Sequence, residues 1–592
     1  MRVTVKDILA PIACALAPIL CYAVIRPYAE IGIIDDWSYV KTAQILARTG
    51  HIAYNGWATA MLGWQLYFGA FLVKLFGFSF TAVRFSTVIV AMATAFLLQR
   101  TFIRAGLNSW NATLATMTFV LSPLYLPLAF TFMSDVPGVF CIVVCLYMCL
   151  RSLQAESERS AMAWVCLAAL LNGLGGTVRQ IAWLGVLVMV PSTLWLLRRN
   201  RRAFEAGCVS CIAGIGIMTA AMHWFARQPY NVPESPIPPR IDLESLKIAG
   251  RTGLHAVADL SLLALPVLLM FAGSLRRWNR RRVAIFITGF VCLAILGIAL
   301  VHKGKMQWYL APFLLNFMTF FTFERLDAAL NAGLHLPIAN DFLRPLLTGA
   351  VALGLLCLVT FSLSGEPGVP APQGSSRSTS WQTLGILLGP FCVAYFALLI
   401  PRAMKGGLYD RYLLPLLAIA ILMLARYYQE KVRENLPWVC VILIFLTGAF
   451  SVAATHDKFS LSRGYLSAID QIESKGVPAT AILGPWEFDG WVEVEKVGHV
   501  NDPRIQVPQD AYVVHPVPFF PGDCNHGSLN YLDEATVDSL GSTPAINPVY
   551  AIFLEPGKCG GQVAFPPVVY RTWISPHVNS VYTIRMPPSD SQ

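Results

Sequence analysis

Long apolar runs separated by short polar stretches dominate the chain from its N-terminus to about residue 455. Most of these runs approach the roughly 20 residues that an α-helix needs to cross the hydrocarbon core of a bilayer. The pattern predicts an α-helical polytopic membrane protein with about 13 to 14 transmembrane helices. The predicted spans are 8–27, 82–103, 109–132, 135–153, 160–177, 180–197, 203–225, 257–275, 282–301, 308–323, 345–363, 381–400, 408–425 and 437–455.

Two regions depart from this pattern. Residues 28–80 form a long first loop, with a predicted helix over 37–49 and an interfacial helix over 62–80. From about residue 456 the composition becomes that of a soluble protein, with many Pro, Gly and Asp residues and short β-type runs. We therefore expect a membrane domain over 1–455 and a small soluble C-terminal domain over 456–592, which is either α/β or mostly β.

The composition strengthens the membrane assignment. Hydrophobic residues make up 56% of the 592 residues and charged residues only 13%, with a mean hydropathy of +0.57. A typical soluble protein has about 25% charged residues. The net charge of +10 does not indicate a nucleic-acid partner, because arginines cluster at helix ends, over 198–202 and 276–282. Such clusters are typical of the inner face of a membrane protein.

Alternation of the predicted spans decides which charged residues share a face. With the N-terminus inside, the carboxylates Asp35, Asp36 and Asp135 and the cation Arg179 fall on the outer face. The charge rule does not decide the topology over 301–436, nor the side of the C-terminal domain.

Most of the 14 cysteines lie inside apolar spans, where a thiol behaves as a small hydrophobe. Cys524 and Cys559 lie instead in the polar C-terminal region, and we expect them to pair only if that region faces an oxidising compartment. The sequence contains no HExxH spacing, and its one CxxC spacing, Cys208 to Cys211, lies inside the apolar span 203–225, so neither common zinc signature indicates a metal site. We expect no cofactor beyond, at most, an ancillary divalent metal.

The acidic pair in EIGIIDDWSYVKTAQ, Asp35 and Asp36, follows directly after the first apolar span. One interpretation is structural: Asp36 caps the helix that starts at Trp37, and Asp35 is solvated. The other is catalytic: one carboxylate points into a lipid-facing cavity as a general base. Adjacent residues on a helix point about 100° apart, so the two are not expected to act on one atom. Asp135, in FTFMSDVPG at the start of a span, is equally open to capping or function.

Cations next to aromatic residues form a second candidate set. Arg179 begins a span on the predicted outer side, Lys303 and Lys305 lie in VHKGKMQWYLAP, and Arg411 lies in LYDRYLLP. Each alone is typical of an interface anchor, but together with the carboxylates they indicate an anionic lipid headgroup bound beside a base. Aromatic residues of the first loop either stack on a sugar or prenyl chain or form an interfacial belt. The aromatic candidates are Tyr39, Tyr54 and Trp57.

Several segments resemble the GT-C membrane glycosyltransferases. They are the acidic pair, KLFGFSFTAVRFSTVIVAMATAFLLQRTFIRAG, SPLYLPLAFTFMSDVPG, GGTVRQIAWLG and the less specific RYLLPLL. Within that superfamily the chain is similar to the bacterial branch that includes protein O-mannosyltransferases, lipid A aminoarabinose transferase and rhizobial lipopolysaccharide galacturonosyltransferases. The resemblance covers most of 1–455.

The resemblance implies an inverting glycosyltransferase of the bacterial plasma membrane. Such an enzyme moves a sugar from a polyprenyl-phosphate carrier to an envelope glycan, lipid or protein acceptor on the outer face. By the motif match, the catalytic carboxylate falls at Asp35 or Asp36, and Asp135 is a second acidic position that shapes the site. Because polyprenyl phosphate is a good leaving group, one carboxylate and cations that neutralise the phosphate are sufficient. The candidate donor-phosphate ligands are Arg179, Lys303, Lys305 and Arg411.

Two other classes of function compete with this interpretation. A transporter or flippase of a lipid-linked saccharide would bind the same headgroup without chemistry. Transporters often carry internal repeats and broken helices in matching halves; neither is clear in the sequence, and the large acidic first loop fits a transporter poorly. A receptor-like protein whose C-terminal domain binds a ligand has no specific motif to support it.

Overall fold

Long apolar helices form the membrane region in a computed structural model of the protein. The structure describes residues 5–232, 241–277, 279–305, 309–314, 318, 342–363, 379–405, 408–500, 546–557, 561–574 and 578–586. Within these residues, ten helices are long and apolar enough to cross a membrane, or eleven if one bent pair counts as a span. The helical polytopic fold class is thereby confirmed.

The described α-helices are α1 Val5–Ile25, α2 Asp36–Thr49, α3 Gly63–Phe76, α4 Phe80–Arg104, α5 Ser109–Val120, α6 Tyr125–Leu128, α7 Asp135–Leu153, α8 Glu158–Gly175, α9 Val190–Leu197, α10 Arg201–Ala226, α11 Leu243–Leu263, α12 Leu265–Leu268, α13 Arg280–His302, α14 Arg344–Leu363, α15 Trp381–Met404, α16 Leu414–Lys431, α17 Trp438–Glu473 and α18 Trp486–Val497. Short 3₁₀ segments lie at Gln180–Trp183, Leu269–Arg277, Asp410–Leu413 and Ala479–Ala481, and a π-helical turn at Gly185–Met189. Helices α4, α7, α8 and α10 pack one against the next, and α1 packs on α4.

The run 109–132 is not the single span that its hydropathy predicts. Helix α5 ends at Val120, and only the single turn α6 follows before α7 begins. Pro123 and Pro127 lie in this run. A proline has no backbone N–H to donate and disfavours helical geometry in the residue before it, so the two prolines favour an end to the helix in the second half of the run.

The span predicted over 257–275 is bent rather than straight. Its two parts, Leu243–Leu263 and Leu265–Gly273, meet at an angle of 73°, with Pro266 in the first turn of the second part. Helix α8 forms where a span was predicted over 160–177, but it is not among the ten, because Glu158, Arg159 and Asn172 lower its hydropathy. Most of the span predicted over 308–323 lies outside the described residues.

The first loop contains the two predicted helices, α2 and α3, each 14 residues long. Helix α2 ends at Gly50, which is left-handed with φ 76° and donates its N–H to the carbonyl of Leu46, a conformation that glycine adopts without cost. Glu30 accepts hydrogen bonds from the backbone N–H of Phe80 and the Ser79 hydroxyl at the start of α4. A carboxylate is favourable there because the helix N-terminus carries partial positive charge.

The C-terminal region begins within a continuous helix. Helix α17 extends from Trp438 to Glu473, so the predicted domain boundary at 455/456 falls inside it. Five short strands follow: β1 Ile482–Leu483, β2 Tyr550–Phe553, β3 Gln562–Val563, β4 Val568–Arg571 and β5 Val578–Arg585. Their order is β1-β2-β5-β3, with β4 also paired to β5, and only the β1–β2 pair is parallel. With α18 this makes an α/β unit. Cys524 and Cys559 lie outside the described residues.

The C-terminal region packs directly on the first loop. Lys41 of α2 forms an ion pair of 2.9 Å with Glu495 of α18, and its ammonium lies 4.2 Å from the ring centroid of Trp491. The backbone N–H of Val500 donates to the carbonyl of Asn55 over 3.0 Å. The segment that carries the acidic pair is therefore held between the membrane helices and the soluble region.

Candidate functional site

Asp36 is the buried member of the acidic pair. Its carboxylate is fully buried and forms a two-pronged ion pair with Arg84 of α4, with Nε–Oδ2 2.7 Å and Nη2–Oδ1 3.0 Å. Backbone N–H groups of Ile33 and Phe132 also donate to it, at 2.7 and 3.2 Å. Arg84 in turn donates to the carbonyls of Ala29 and Ile31. This network anchors the chain just before α2 to the membrane helices.

The helix-cap interpretation of Asp36 is wrong. Asp36 is the first residue of α2, and Asp35 occupies the cap position without a side-chain hydrogen bond to the helix. The Asp36 carboxylate accepts the N–H of Ile33 and pairs with Arg84 instead of capping the helix. An unpaired buried guanidinium costs more free energy than a missing helix cap.

Asp35 points the other way and stays accessible. Its side chain is 18% exposed and accepts hydrogen bonds from Nη1 of Arg411 and Nε1 of Trp57, both over 3.0 Å. The two carboxylates thus face different partners, as the angle between adjacent helical residues predicts. Of the pair, Asp35 is the carboxylate that a substrate can reach.

Asp135 and Arg179 form a second ion pair, between the start of α7 and the 3₁₀ turn that precedes α9. Nη1 of Arg179 lies 2.9 Å from Oδ1 of Asp135 and donates to the hydroxyl of Ser134 over 3.0 Å. The Asp135 side chain is 1% exposed, whereas that of Arg179 is 17% exposed. Asp135 does not cap α7 through its side chain; it holds Arg179.

The turn Asp410–Leu413 brings the two pairs together. The guanidinium of Arg179 lies 5.0 Å from the ring centroid of Tyr412, and that of Arg411 lies 5.1 Å from the ring of Tyr409. Arg402 donates from Nη1 to the hydroxyl of Tyr412 over 2.9 Å. The guanidinium groups of Arg179, Arg402 and Arg411 therefore gather at the tyrosines of this turn. Such a cluster suits the binding of a multiply charged anion.

Three polar atoms of this cluster make no hydrogen bond within the described part of the chain, although one of them, Oδ1 of Asp135, lies in the ion pair with Arg179. Among the described residues, neither carboxylate oxygen of Asp135 accepts a hydrogen bond of good geometry, and Nε of Arg411 donates to no acceptor. All three atoms are buried. Buried polar groups are paired in the great majority of folded proteins, so the unpaired Nε of Arg411 and Oδ2 of Asp135 distinguish this cluster from an ordinary packed interior.

The remaining sequence candidates are dispersed. Lys303 and Lys305 follow the end of α13 and are exposed, and no described contact joins them to the Asp35–Arg411 pair. Tyr39 is buried beside Asp35, and burial raises the pKa of its hydroxyl. Tyr54 is buried and donates its hydroxyl to the carbonyl of Met61 over 2.7 Å, which is a packing role.

Sequence reasoning missed Arg84, Tyr412 and Arg402. A signal existed for Arg84, since a charged residue inside an apolar span costs enough to require a partner or a function. The positions of Tyr412 and Arg402 relative to Arg179 depend on how the helices pack, which no local pattern shows. Within the described part of the chain, no three His, Cys, Asp or Glu side chains gather as a metal site would need.

Known proteins resemble parts of this chain. Residues 64–225 match the family described as dolichyl-phosphate-mannose-protein mannosyltransferase. This segment contains α4, which carries Arg84, and also Asp135 and Arg179. No curated protein sequence matches the chain.

Solved structures with similar folds are distant in sequence. ArnT from Cupriavidus metallidurans in the apo state is 14% identical, covers 97% of this chain and 98% of its own, and has a TM-score of 0.39. The Pmt1-Pmt2 protein O-mannosyltransferase complex of S. cerevisiae, bound to the sugar donor, is 16% identical with a TM-score of 0.31. The alignment covers 37% of this chain and 33% of the yeast chain, so this chain spans about a third of that relative's length. Arabinosyltransferase EmbB from Mycobacterium smegmatis is 13% identical with a TM-score of 0.33, covering 77% and 41% of the two chains.

Proposed function

We propose that this chain is a membrane glycosyltransferase of the GT-C type that transfers a sugar from a polyprenyl-phosphate carrier to an acceptor at the outer face of the membrane. The family match over residues 64–225 supports the proposal. The description of the matched family names a dolichyl-phosphate-linked sugar as donor, and a polyprenyl phosphate is the same chemical class. The acceptor class comprises an envelope glycan, a lipid or a protein, and the host membrane is the bacterial plasma membrane.

One observation carries the proposal: Asp35 is an accessible carboxylate paired with Arg411, beside a second guanidinium, Arg179. Asp36 lacks that access, because Arg84 and two backbone N–H groups already use its oxygens. The general base in the proposed reaction is therefore Asp35. Asp36 instead anchors the chain before α2 through its ion pair with Arg84.

Arg411 and Arg179 are the proposed ligands of the donor phosphate. Nε of Arg411 is buried without an acceptor, and a phosphate oxygen is a fitting partner for it. When phosphate binds, it competes with Asp35 for the guanidinium, and the carboxylate is then released to accept a proton. Lys303 and Lys305 remain proposed ligands only if their segment approaches the site during turnover.

The chemical step follows from these positions. Asp35 takes the proton of the acceptor hydroxyl, whose oxygen attacks the anomeric carbon from the face opposite the phosphate. The bond between that carbon and the phosphate oxygen breaks, and the polyprenyl phosphate leaves with the electron pair. Arg411 and Arg179 stabilise the negative charge that grows on the leaving phosphate. Attack from the opposite face inverts the anomeric configuration.

The test combines cells and purified protein. Mass analysis of the cell envelope with and without the protein should show one missing sugar, which identifies donor and acceptor together. Purified wild-type protein should consume a radiolabelled polyprenyl-phosphate sugar, whereas Asp35→Asn should not. If the labelled donor only moves between the leaflets of a vesicle and stays intact, the protein is a flippase and the transferase proposal fails.

A further inference from the structure

Helix α18 of the C-terminal region contacts the backbone next to Asp35. Oε1 of Glu487 accepts a hydrogen bond from the N–H of Ile34 over 3.1 Å, across 453 positions of sequence. Glu487 is only 5% exposed. A buried carboxylate from the soluble region therefore holds the residue that immediately precedes the proposed base.

Ile34 has a conformation that needs support. Its φ is +56°, in the left-handed region, which a β-branched side chain rarely adopts. Such a conformation persists when surrounding contacts over-determine it. Two carboxylates do so here, because Asp36 accepts the N–H of Ile33 and Glu487 accepts the N–H of Ile34.

The same helix also reaches the side-chain partner of Asp35. Trp486 lies 5.4 Å from Trp57 between ring centroids, and Nε1 of Trp57 donates to Oδ1 of Asp35. Trp486 also meets Trp37 edge-on at 6.4 Å. The start of α18 thus contacts the backbone on one side of Asp35 and the indole that holds its carboxylate on the other.

Two glycines allow this close approach. A Cβ at Gly32 would lie 2.9 Å from Cβ of Glu487 and 2.5 Å from Cβ of Trp37. A Cβ at Gly490 would lie 2.7 Å from Cζ2 of Trp37. The first loop and α18 are therefore in direct contact, without room for an intervening layer of side chains.

We propose that Glu487 is a positioning residue for Asp35, so that the C-terminal region sets the geometry of the catalytic carboxylate through the Ile34 backbone. The inference rests on the proposed function, in which Asp35 is the base. It assigns the soluble region, which lies outside the matched segment 64–225, a direct part in catalysis. A carboxylate misplaced by about 1 Å can lose roughly 100-fold in rate.

The kinetic test compares Glu487→Ala with Glu487→Gln in the full-length protein. The amide oxygen of Gln still accepts the Ile34 N–H, whereas Ala offers no acceptor. We expect Glu487→Ala to lower kcat for donor consumption roughly 10- to 100-fold with little change in donor KM. Glu487→Gln should rescue most of that loss. Should Glu487→Ala fail to fold, Glu487→Asp, whose carboxylate is one methylene shorter, takes its place with the same expectation.

Glu495→Gln is the matched control, because it breaks the Lys41–Glu495 ion pair of the same interface but not the contact with Ile34. It should leave kcat unchanged. Equal losses of kcat in Glu487→Ala and Glu495→Gln would overturn the positioning role, because they would show that any disturbance of this interface lowers kcat.

Amide hydrogen exchange gives a readout that does not require activity. The amides of Ile33 and Ile34 should exchange faster in Glu487→Ala than in wild type, and at nearly the wild-type rate in Glu487→Gln. Unchanged exchange in Glu487→Ala overturns the positioning inference alone. A wild type that consumes no donor overturns the proposed function, and with it the positioning role, even if the exchange pattern is as expected.

Discussion

Arg411 donates a hydrogen bond from Nη1 to Oδ2 of Asp35 over 3.0 Å, although 376 residues separate them along the chain. The pair connects the first loop to the turn that precedes α16. Neither residue is sealed from solvent, with 12% and 18% of their side chains exposed, so both remain available to substrate.

Asp35→Asn should fold normally and lose transfer. Asparagine has nearly the same shape and still accepts a hydrogen bond from Trp57, but it is a far weaker base than a carboxylate. General-base groups typically contribute 10²–10⁴-fold, and we expect a fall in kcat of about that size without a lower melting temperature. Full turnover by the variant would remove Asp35 from the mechanism and move attention to Asp135.

Asp36→Asn should instead destabilise the protein. The substitution leaves the buried guanidinium of Arg84 without an anion, and breaking one side of a buried pair typically costs about 3–5 kcal/mol. Thermal melting in detergent measures the loss. The control is Glu205→Gln, which breaks the exposed Arg201–Glu205 pair and should not change the melting temperature. An Asp36→Asn protein of wild-type stability would contradict the anchoring role.

Arg411→Gln should weaken donor use strongly. Removing one preorganised donor to a developing negative charge typically costs about 10²–10³-fold, and we expect that loss in kcat/KM for the polyprenyl-phosphate sugar. Lys305→Gln changes an exposed cation at the end of α13 and serves as the comparison, with a much smaller loss expected. Equal losses in the two variants would show that the phosphate is not bound mainly by the Arg411 side of the site.

Gly490→Ala should loosen the contact between α18 and the first loop. The added methyl would overlap the buried ring of Trp37, and overpacking of this kind costs about 1–3 kcal/mol. In contrast, Gly385→Ala in α15 places its methyl in open space and should be neutral or slightly stabilising. Melting temperatures of the two variants provide the comparison. A Gly490→Ala protein as stable as Gly385→Ala would show that α18 moves to accommodate the added methyl without loss of stability.

Glu487→Gln should change how stability depends on pH. Burial raises the pKa of Glu487 above 4.5, Lys458 opposes the shift, and Asp36 adds to it. The folded protein therefore keeps a proton that the unfolded chain has released, so this residue's contribution to the free energy of unfolding falls as pH rises from about 4.5 through the raised pKa. The variant does not titrate there.

The melting temperature of Glu487→Gln minus that of wild type should therefore be larger at about pH 8 than at pH 4.5. The acidic condition is the reference, because a protonated glutamic acid and a glutamine side chain are then alike in charge and shape. A difference that is the same at both pH values would mean that Glu487 is not held in an environment that disfavours its charge.

The sequence by itself determined the membrane fold class, most of the span positions and the identity of the charged candidates. Hydropathy is sufficient to predict the fold class and the spans, because a helix in lipid must pair its own backbone N–H and C=O groups and be apolar over its whole length. The broken run 109–132 was also readable in principle, since Pro123 and Pro127 are local signals. Asp35, Arg179 and Arg411 stood out because charges beside apolar runs are rare.

Only the tertiary structure decided which carboxylate of the acidic pair faces solvent. The two residues are adjacent and chemically identical, so nothing local distinguishes them; Arg84, on another helix, binds Asp36 and leaves Asp35 to Arg411. The same reason applies to Glu487, whose partner Ile34 is 453 positions away. Ion pairs and hydrogen bonds between distant segments depend on how the helices pack, and packing is a property of the whole chain.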